Sequence, residues 1–399
     1  MEAQPMKTFV TFLGRGQENP ETGYRKATYK FPDGSRETTA FFGLALAKYI
    51  DPNRLVILGT NSSQWGVLLE NLAAEGEEEE ARLEILDAET RGGVEQKHLN
   101  SVVQLMRRAV DCEVVPRLIP FGINESEQYK ILDVIAQSVP EGTVNFDLTH
   151  GFRHFGMIGF LSTFMLARVR HRFEVENLWY GALEMTQGGI TPVLKLDGLD
   201  RVRQWLEALN RFDATGNYRV FGSLLTKDGV KGNKAKHLEN AAFYERTLNL
   251  SAAADEIRQF RPVLASDLPG ASGLFKERLA NRLRWIELDT LSKQQAELAH
   301  QYLKRRDYLR AAMFGWESLI SMYCEEKCLD PQKRENREGQ NVLREVDPSK
   351  RKICENLNQI RNALAHGGSS NTESIEKMFM DEQKLHRALR KAFDCLLSN

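Results

Sequence analysis

The sequence lacks several features that would quickly assign it to a class of protein. Its 399 residues carry a formal net charge of −1. Without an overall basic field, a nucleic-acid partner would have to be bound by a local patch. Only five cysteines are present. Their spacing fits neither a disulfide framework nor a zinc site, so reduced thiols in a reducing compartment are expected.

Long hydrophobic runs are also missing. The most apolar run, Phe155 to Ala167, has 13 residues, whereas a membrane-spanning helix needs about 20. This run predicts a helix that is buried in a core or at a subunit interface. The first residues show no basic segment followed by a long apolar core, so no signal peptide is expected. We therefore predict a cytoplasmic protein with no membrane partner.

The sequence has the length and composition of a multidomain globular protein, with 42% hydrophobic and 27% charged residues. Strands and helices alternate up to residue 197, which predicts a Rossmann-like domain with a mostly parallel sheet over residues 1–197. The strand patterns then stop. We predict a helical linker region over residues 198–290 and a second helical domain over residues 291–399. The predicted fold class is α/β plus all-α.

Polar residues gather where three of the predicted strands end. In open α/β sheets, ligands bind beyond the carboxyl ends of the strands, near helix N-termini that favour anions. We therefore predict a site for a phosphorylated ligand at the third of these ends. A structural alternative is that Asp147 or Thr149 only caps the following helix. The first two strands end in glycine and small polar residues, and the polar side chains at the third strand end are Asp147, Thr149, His150, Arg153 and His154.

A second candidate site lies in the helical half, where Arg361, Asn362 and His366 end a predicted helix before Gly367. The negative end of a helix dipole stabilises an imidazolium, and arginine keeps its charge, so the pair suits proton transfer and phosphate binding. The alternative is a surface arginine and a C-capping histidine. Five helical positions leave Arg361 and His366 roughly 140° apart, which favours a composite site from two protomers.

Together, the two stretches resemble a known family. Asp147-Leu148-Thr149-His150-Gly151 resembles the Asp-x-Thr-His-Gly signature of CRISPR-associated CARF proteins. Arg361-Asn362-x3-His366 resembles the Arg-polar-x3-His signature of HEPN ribonucleases. With the first motif in the Rossmann-like half and the second near the end of the helical half, the chain resembles the CARF–HEPN effector ribonucleases of type III CRISPR systems.

The resemblance implies an N-terminal CARF domain that binds cyclic oligoadenylate at a dimer interface. The positions that match its ligand-binding loops are Gly14, Arg15 and Gly16 after the first strand and Asp147, Thr149, His150, Gly151 and Arg153 around the third, with Asn61 and Ser62 after the second as a looser match. The resemblance also implies a HEPN domain that cleaves single-stranded RNA without metal and leaves 2′,3′-cyclic phosphate ends. His366 would then transfer protons, Arg361 would stabilise the phosphorane, Asn362 would position both, and Glu317 would support them. No metal or cofactor is expected besides the activator, for which a two-fold dimer favours an even-numbered ring, cyclic tetra-adenylate. A homodimer or higher homo-oligomer is expected.

Two alternative functions stay open on the sequence. The CARF half could also cleave its own ligand, which would make the effector self-limiting. The helical half could instead bind nucleic acid or protein without cutting. The basic segment Lys227 to Lys236 is predicted to be a loop, either disordered or in contact with a phosphate backbone.

Overall fold

The computed structural model describes residues 6–14, 18–19, 23–24, 26–70, 76–338, 340–367 and 372–397. The chain forms two compact units, Met1–Asp200 and Arg201–Asn399. In the described part of the chain, no helix is both long and apolar enough to cross a membrane.

The N-terminal unit is built on an eight-stranded sheet of order β5-β4-β10-β9-β8-β1-β6-β7, with β2 and β3 pairing separately. The strands β9, β8, β1, β6 and β7 all run parallel. Strand β10 is antiparallel to β9 and parallel to β4, and β5 is antiparallel to β4. The strands are β1 (Lys7–Leu13), β2 (Glu18–Asn19), β3 (Gly23–Tyr24), β4 (Ala27–Lys30), β5 (Arg36–Thr39), β6 (Arg54–Gly59), β7 (Glu113–Leu118), β8 (Gly142–Asp147), β9 (Phe173–Gly181) and β10 (Ile190–Lys195).

Helices cover both faces of this sheet. Alternate residues of a strand point to opposite faces, and on β1 the side chains of Phe9 and Val10 accordingly enter two separate hydrophobic cores. The helices α1 to α5 contribute to the Phe9 core, whereas α6 and α7 contribute to the Val10 core. The helices are α1 (Phe42–Ile50), α2 (Trp65–Glu70), α3 (Glu77–Arg91), α4 (Gln96–Ser101), α5 (Val103–Val110), α6 (Glu125–Ser138) and α7 (Arg153–Val169), with a 3-10 turn at Leu183–Met185. The expected mostly parallel, Rossmann-like sheet is confirmed.

The second unit is helical, as expected, and its buried side chains from Trp205 to Leu396 form one continuous hydrophobic core. Residues on both sides of position 290 contribute to that core, so the separation of a linker region from a second helical domain stays a prediction. The helices are α8 (Asp197–Thr215), α9 (Gly222–Lys227), α10 (Gly232–Arg246), α11 (Leu250–Ala265), α12 (Ser272–Leu283), α13 (Leu291–Lys304), α14 (Tyr308–Glu326), α15 (Arg334–Glu338), α16 (Val342–Glu345), α17 (Arg351–Ala365), α18 (Glu373–Phe379) and α19 (Glu382–Leu396), with 3-10 turns at Tyr218–Phe221 and Arg284–Glu287.

Some helical patterns are interrupted where periodicity alone predicts one element. The apolar pattern from Lys97 to Val110 forms two helices that meet at Val102. The segment Lys227 to Lys236 is not a disordered loop, because it ends α9 and begins α10. Leu248 breaks the pattern between α10 and α11 with a φ of 63°, a backbone conformation that hydropathy does not encode.

Candidate functional sites

Three loops at the carboxyl ends of β1, β6 and β8 lie in direct contact. A Cβ atom on Gly14, after β1, would lie 2.8 Å from the backbone nitrogen of Gly151, after β8. The Gly14 carbonyl accepts a hydrogen bond of 3.2 Å from the Gln64 N–H, which follows β6. The predicted convergence of these strand ends is therefore present, and only a residue without a side chain fits at position 14. Arg15 and Gly16 lie outside the described residues.

Asp147 holds the loop after β8. Its carboxylate accepts hydrogen bonds from the Thr11 hydroxyl (2.7 Å) and from the Thr149 N–H (2.9 Å). The Thr149 hydroxyl in turn accepts a hydrogen bond of 2.8 Å from the Gly181 N–H, at the end of β9. The Asp147 side chain is fully buried. Asp147 and Thr149 therefore shape the loop, and the sequence alone did not identify Thr11 as their partner.

Burial perturbs the electrostatics of two residues in this junction. Burial raises the pKa of Asp147, although His150 and the accepted hydrogen bonds oppose that shift. Burial lowers the pKa of His150, and the Asp147 carboxylate opposes it. The His150 Nε2 atom is buried and has no hydrogen-bond partner within the described part of the chain. Such an atom has an unmet hydrogen bond that a bound ligand could satisfy.

The start of α7 offers further polar groups to a ligand. Neither Asp147 nor Thr149 caps this helix, because its N-cap residue is Phe152, which provides no side-chain hydrogen bond. Arg153 is the first residue of α7 and is exposed. Gly151, which precedes Phe152, has a φ of 93°. Glycine adopts this backbone conformation without strain, which explains its place in the Asp-x-Thr-His-Gly motif. Uncapped N–H groups, a helix dipole and an arginine together favour an anion.

The loop after β6 is held from the other side by the connection between α3 and α4. The Asn61 carbonyl accepts a hydrogen bond of 2.9 Å from the Val94 N–H. A Cβ atom on Gly93 would lie 3.0 Å from the Asn61 side-chain nitrogen. The hydroxyl of Ser62 lies 3.3 Å from that of Thr60. Gly93 is thus a residue of this site that the sequence pattern did not reveal.

The second candidate site lies at the end of α17. The helix buries Cys354, Leu357, Ile360 and Ala363 on one face. His366 is exposed at the C-cap position, and its N–H donates to the Asn362 carbonyl at 3.0 Å.

The expected glycine stop is present at Gly367, with a φ of 76°; Gly368 lies outside the described residues. The three candidate residues therefore occupy the last turn of one helix and its cap.

Arg361 is half-buried and has no carboxylate partner among the described residues. One terminal nitrogen donates to the Asn362 side-chain oxygen at 2.7 Å, and the Asn362 amide contacts the Asn358 oxygen at 3.4 Å. The Arg361 Nε atom is buried, and none of the described residues accepts a hydrogen bond from it. This guanidinium therefore retains an uncompensated charge and an unused donor, both of which suit a phosphate.

Glu317 is not held against Arg361. Its carboxylate pairs with Arg337 on α15, which leaves the expected supporting role untested. Within the described ranges, no group of three or more His, Cys, Asp or Glu side chains is placed to hold a metal ion.

The comparison with known protein families agrees with the N-terminal geometry. Residues 8–184 match a family model of the CARF domain, so the N-terminal unit is a CARF domain. The model is the one described as CRISPR system endoribonuclease Csx1, CARF domain. The matched range contains the three loops that meet at Gly14 and Gly151. This match confirms the expected CARF fold and supports a CRISPR-associated effector.

Comparisons with solved structures and with curated proteins say less about this chain than the family match does. One similar solved structure is Csm6 of Enterococcus italicus bound to cyclic hexa-2′-fluoro-hexa-dAMP. The match spans 98% of this chain and 94% of the Csm6 chain, with 11% sequence identity and a TM-score of 0.36. A likeness at that score carries no argument about this chain. The search of curated proteins returned no match.

Proposed function

We propose that this protein is an endoribonuclease of type III CRISPR antiviral defence that cyclic oligoadenylate activates. The CARF domain binds the messenger, and the helical unit acts as a HEPN ribonuclease domain. The observation that carries the proposal is that a CARF domain shares its chain with α17. That helix presents a half-buried arginine without a carboxylate partner and an exposed histidine at its end.

The messenger binds where the loops after β1, β6 and β8 meet. The close approach of Gly14 and Gly151 holds two of these loops together, and the start of α7 with Arg153, where Phe152 provides no side-chain cap, attracts phosphate charge. The unpartnered His150 nitrogen supplies a further polar contact. The remaining predicted contacts are Arg15, Gly16, Asn61, Ser62, Asp147 and Thr149. Because two copies related by a two-fold axis suit an even-numbered ring, we propose cyclic tetra-adenylate as the messenger.

Cleavage is an acid–base reaction on the RNA itself. The ribose 2′-oxygen attacks the adjacent phosphorus as its proton is removed, and the bond from phosphorus to the 5′-oxygen breaks as that oxygen is protonated. The products are a 2′,3′-cyclic phosphate and a free 5′-hydroxyl. His366 transfers protons, the Arg361 guanidinium stabilises the additional negative charge of the phosphorane, and Asn362 orients Arg361. No step requires a metal ion.

The catalytic site is composite. Arg361 and His366 project from different sides of α17, so α17 of a second protomer completes the arrangement. A messenger that binds the active dimer more tightly than the inactive one re-spaces the two helices. A near-complete switch requires a difference of about 5.5 kcal/mol in binding free energy.

Incubation of purified protein with labelled single-stranded RNA in EDTA, with and without cyclic tetra-adenylate, tests this proposal. We expect messenger-dependent cleavage and products with 2′,3′-cyclic phosphates by mass spectrometry. His366→Ala should lower the rate about 10²- to 10⁴-fold, whereas His171→Ala, at an exposed histidine of the other unit, should not. Equal RNA loss in the wild type and His366→Ala would overturn the assignment of catalysis to this motif. Binding of RNA without any cleavage would favour a signal-binding regulator.

A further inference from the structure

The helical unit contains a groove separate from the candidate catalytic residues of α17. It has a volume of about 560 Å³, within the range of roughly 300–1,000 Å³ typical of ligand sites. Its lining comes from α8, the 3-10 turn Tyr218–Phe221, α9 and α10. These four elements follow one another in the chain, so the groove is formed by residues 204–239 alone. We refer to it as the Arg211–Arg219 groove.

The groove is lined both by apolar side chains and by two arginines. Ala208, Val220 and Leu224 contribute apolar surface. Arg211 and Arg219 are exposed, and neither has a carboxylate partner among the described residues. The Asn217 side-chain oxygen accepts a hydrogen bond of 3.1 Å from the Arg219 N–H, which fixes the backbone that carries this arginine.

The acidic residues of the lining do not cancel that charge. Glu207 pairs with Arg203 at 2.7 Å, and Glu239 pairs with Lys236 at 3.3 Å. Each carboxylate therefore already has its own cation. The two ion pairs are neutral, and Arg211 and Arg219 leave a local excess of positive charge on a chain whose overall charge is nearly zero.

Positive charge continues from the groove along the chain. Ser223, in the lining, begins the turn of α9 that ends at Lys227. Lys227, Lys231 and Lys234 have no carboxylate partner in the described part of the chain. An isolated phosphorylated molecule would need only the groove itself. Two arginines in the groove and three lysines in the chain segment that follows its lining residues in α9 suit an extended polyanion instead.

We propose that the Arg211–Arg219 groove binds the backbone of single-stranded RNA, with one base over the apolar surface and adjacent phosphates at the two arginines. Arginine offers the paired donors that phosphate oxygens accept. Lys227, Lys231 and Lys234 contact the phosphates that follow. The identification of this chain as substrate RNA rests on the proposed function, whereas the site itself rests on the groove.

Binding to a catalytically silent protein tests this inference separately from cleavage. Fluorescence anisotropy with a labelled single-stranded RNA would be measured on the full-length His366→Ala protein in EDTA, over a range of salt concentrations. Adding Arg211→Ala and Arg219→Ala should raise the Kd roughly tenfold or more. The slope of log Kd against log salt should fall by about 1.4, because each lost phosphate contact contributes about 0.7.

The matched control is Arg246→Ala with Arg284→Ala in the same background, since these exposed arginines lie outside the groove and have no carboxylate partner in the described ranges. Arg211→Lys with Arg219→Lys keeps both positive charges, so its RNA binding should retain most of the salt dependence. That result would show that lost charge, and not misfolding, weakens binding in the alanine variant. An unchanged Kd and slope in the Arg211→Ala, Arg219→Ala protein, or equal loss in the control pair, would overturn the inference. RNA binding through the groove without any cleavage would leave it standing while the proposed function failed.

Discussion

The two candidate sites differ in how firmly a single chain holds them. The junction at β8 is fixed by a buried carboxylate with two hydrogen bonds, by a threonine bonded to β9 and by glycines that touch. At the end of α17, His366 is exposed, the Arg361 guanidinium donates to the Asn362 side chain at 2.7 Å, and the Asn362 amide contacts Asn358 at 3.4 Å. The first candidate site is thus held by contacts between distant parts of the chain, whereas the hydrogen bonds of the Arg361 and Asn362 side chains stay within α17.

The largest expected effect tests the loosely held site. Arg361→Ala should lower the cleavage rate at saturating messenger about 10²- to 10³-fold, because the developing phosphorane loses its stabilising charge. Arg361→Lys should recover part of that rate, since lysine keeps the charge but not the paired donors. Single-turnover RNA cleavage measures the rate, and calorimetry should find the messenger Kd unchanged.

Arg351→Ala is the control for Arg361, because Arg351 begins the same helix, is exposed and has no carboxylate partner among the described residues. If Arg361→Ala cleaved RNA as fast as Arg351→Ala, the catalytic role of Arg361 would be wrong.

The next effect tests the rigid site. Gly14→Ala would place a methyl group 2.8 Å from the Gly151 nitrogen, and such overpacking typically costs about 1–3 kcal/mol. If that cost falls on the binding-competent loop, the messenger Kd should rise about 5- to 150-fold. Isothermal titration calorimetry measures it. Gly198→Ala, where a Cβ meets no atom within 4 Å, should bind normally; equal affinity in both variants would show that the loops need not touch.

A pH effect of up to about 1.4 kcal/mol per pH unit should follow from His150. Burial lowers its pKa in the folded protein. As the pH falls below about 6.5, the unfolded chain therefore protonates His150 before the folded protein does. The free energy of unfolding should decrease as the pH is lowered from 7.5 to 6, and less steeply in His150→Gln.

Urea denaturation at several pH values, followed by a signal from the CARF domain, measures this slope. His171→Gln is the control for removing an exposed histidine. An identical slope in wild type and His150→Gln would contradict the buried, neutral state of His150.

The smallest expected effect concerns the loop after β6. Gly92 and Gly93 have φ values of 137° and 120°, so alanine is strained at both. Only the Cβ at position 93 would press on Asn61, whereas that at position 92 meets no atom within 4 Å. Gly93→Ala should therefore weaken messenger binding a few-fold more than Gly92→Ala. Equal affinities would remove Asn61 from the ligand site.

The strands and the position of the first site follow from the sequence, because buried parallel strands appear as short apolar runs and polar residues must follow them. The strand β1 (Lys7–Leu13) is such an apolar run, and β8 (Gly142–Asp147) leads directly into the polar residues of the first candidate site. The mostly parallel, Rossmann-like sheet was predictable from the alternation of strands and helices, whereas the order of the strands in the sheet was not predicted.

The partners within each site were not predictable, since they join residues far apart in the chain. Thr11 is 136 positions from Asp147, and nothing local marks it beyond a polar residue in a buried strand. Glu317 pairs with Arg337 rather than with the motif that it was expected to support. The Arg211–Arg219 groove likewise depends on which carboxylates are already paired, which composition cannot reveal.

Strand addition is a common route by which sheet proteins join, and both edges of this sheet oppose it. At one edge, β5 has the polar sequence Arg-Glu-Thr-Thr; at the other, Pro116 lies within β7 and lacks an N–H donor. The sheet is therefore poorly suited to growth from copy to copy into a fibre. Copies of this chain that pair must do so through helices and loops, whose side chains can shift when a ligand binds without any strand being broken.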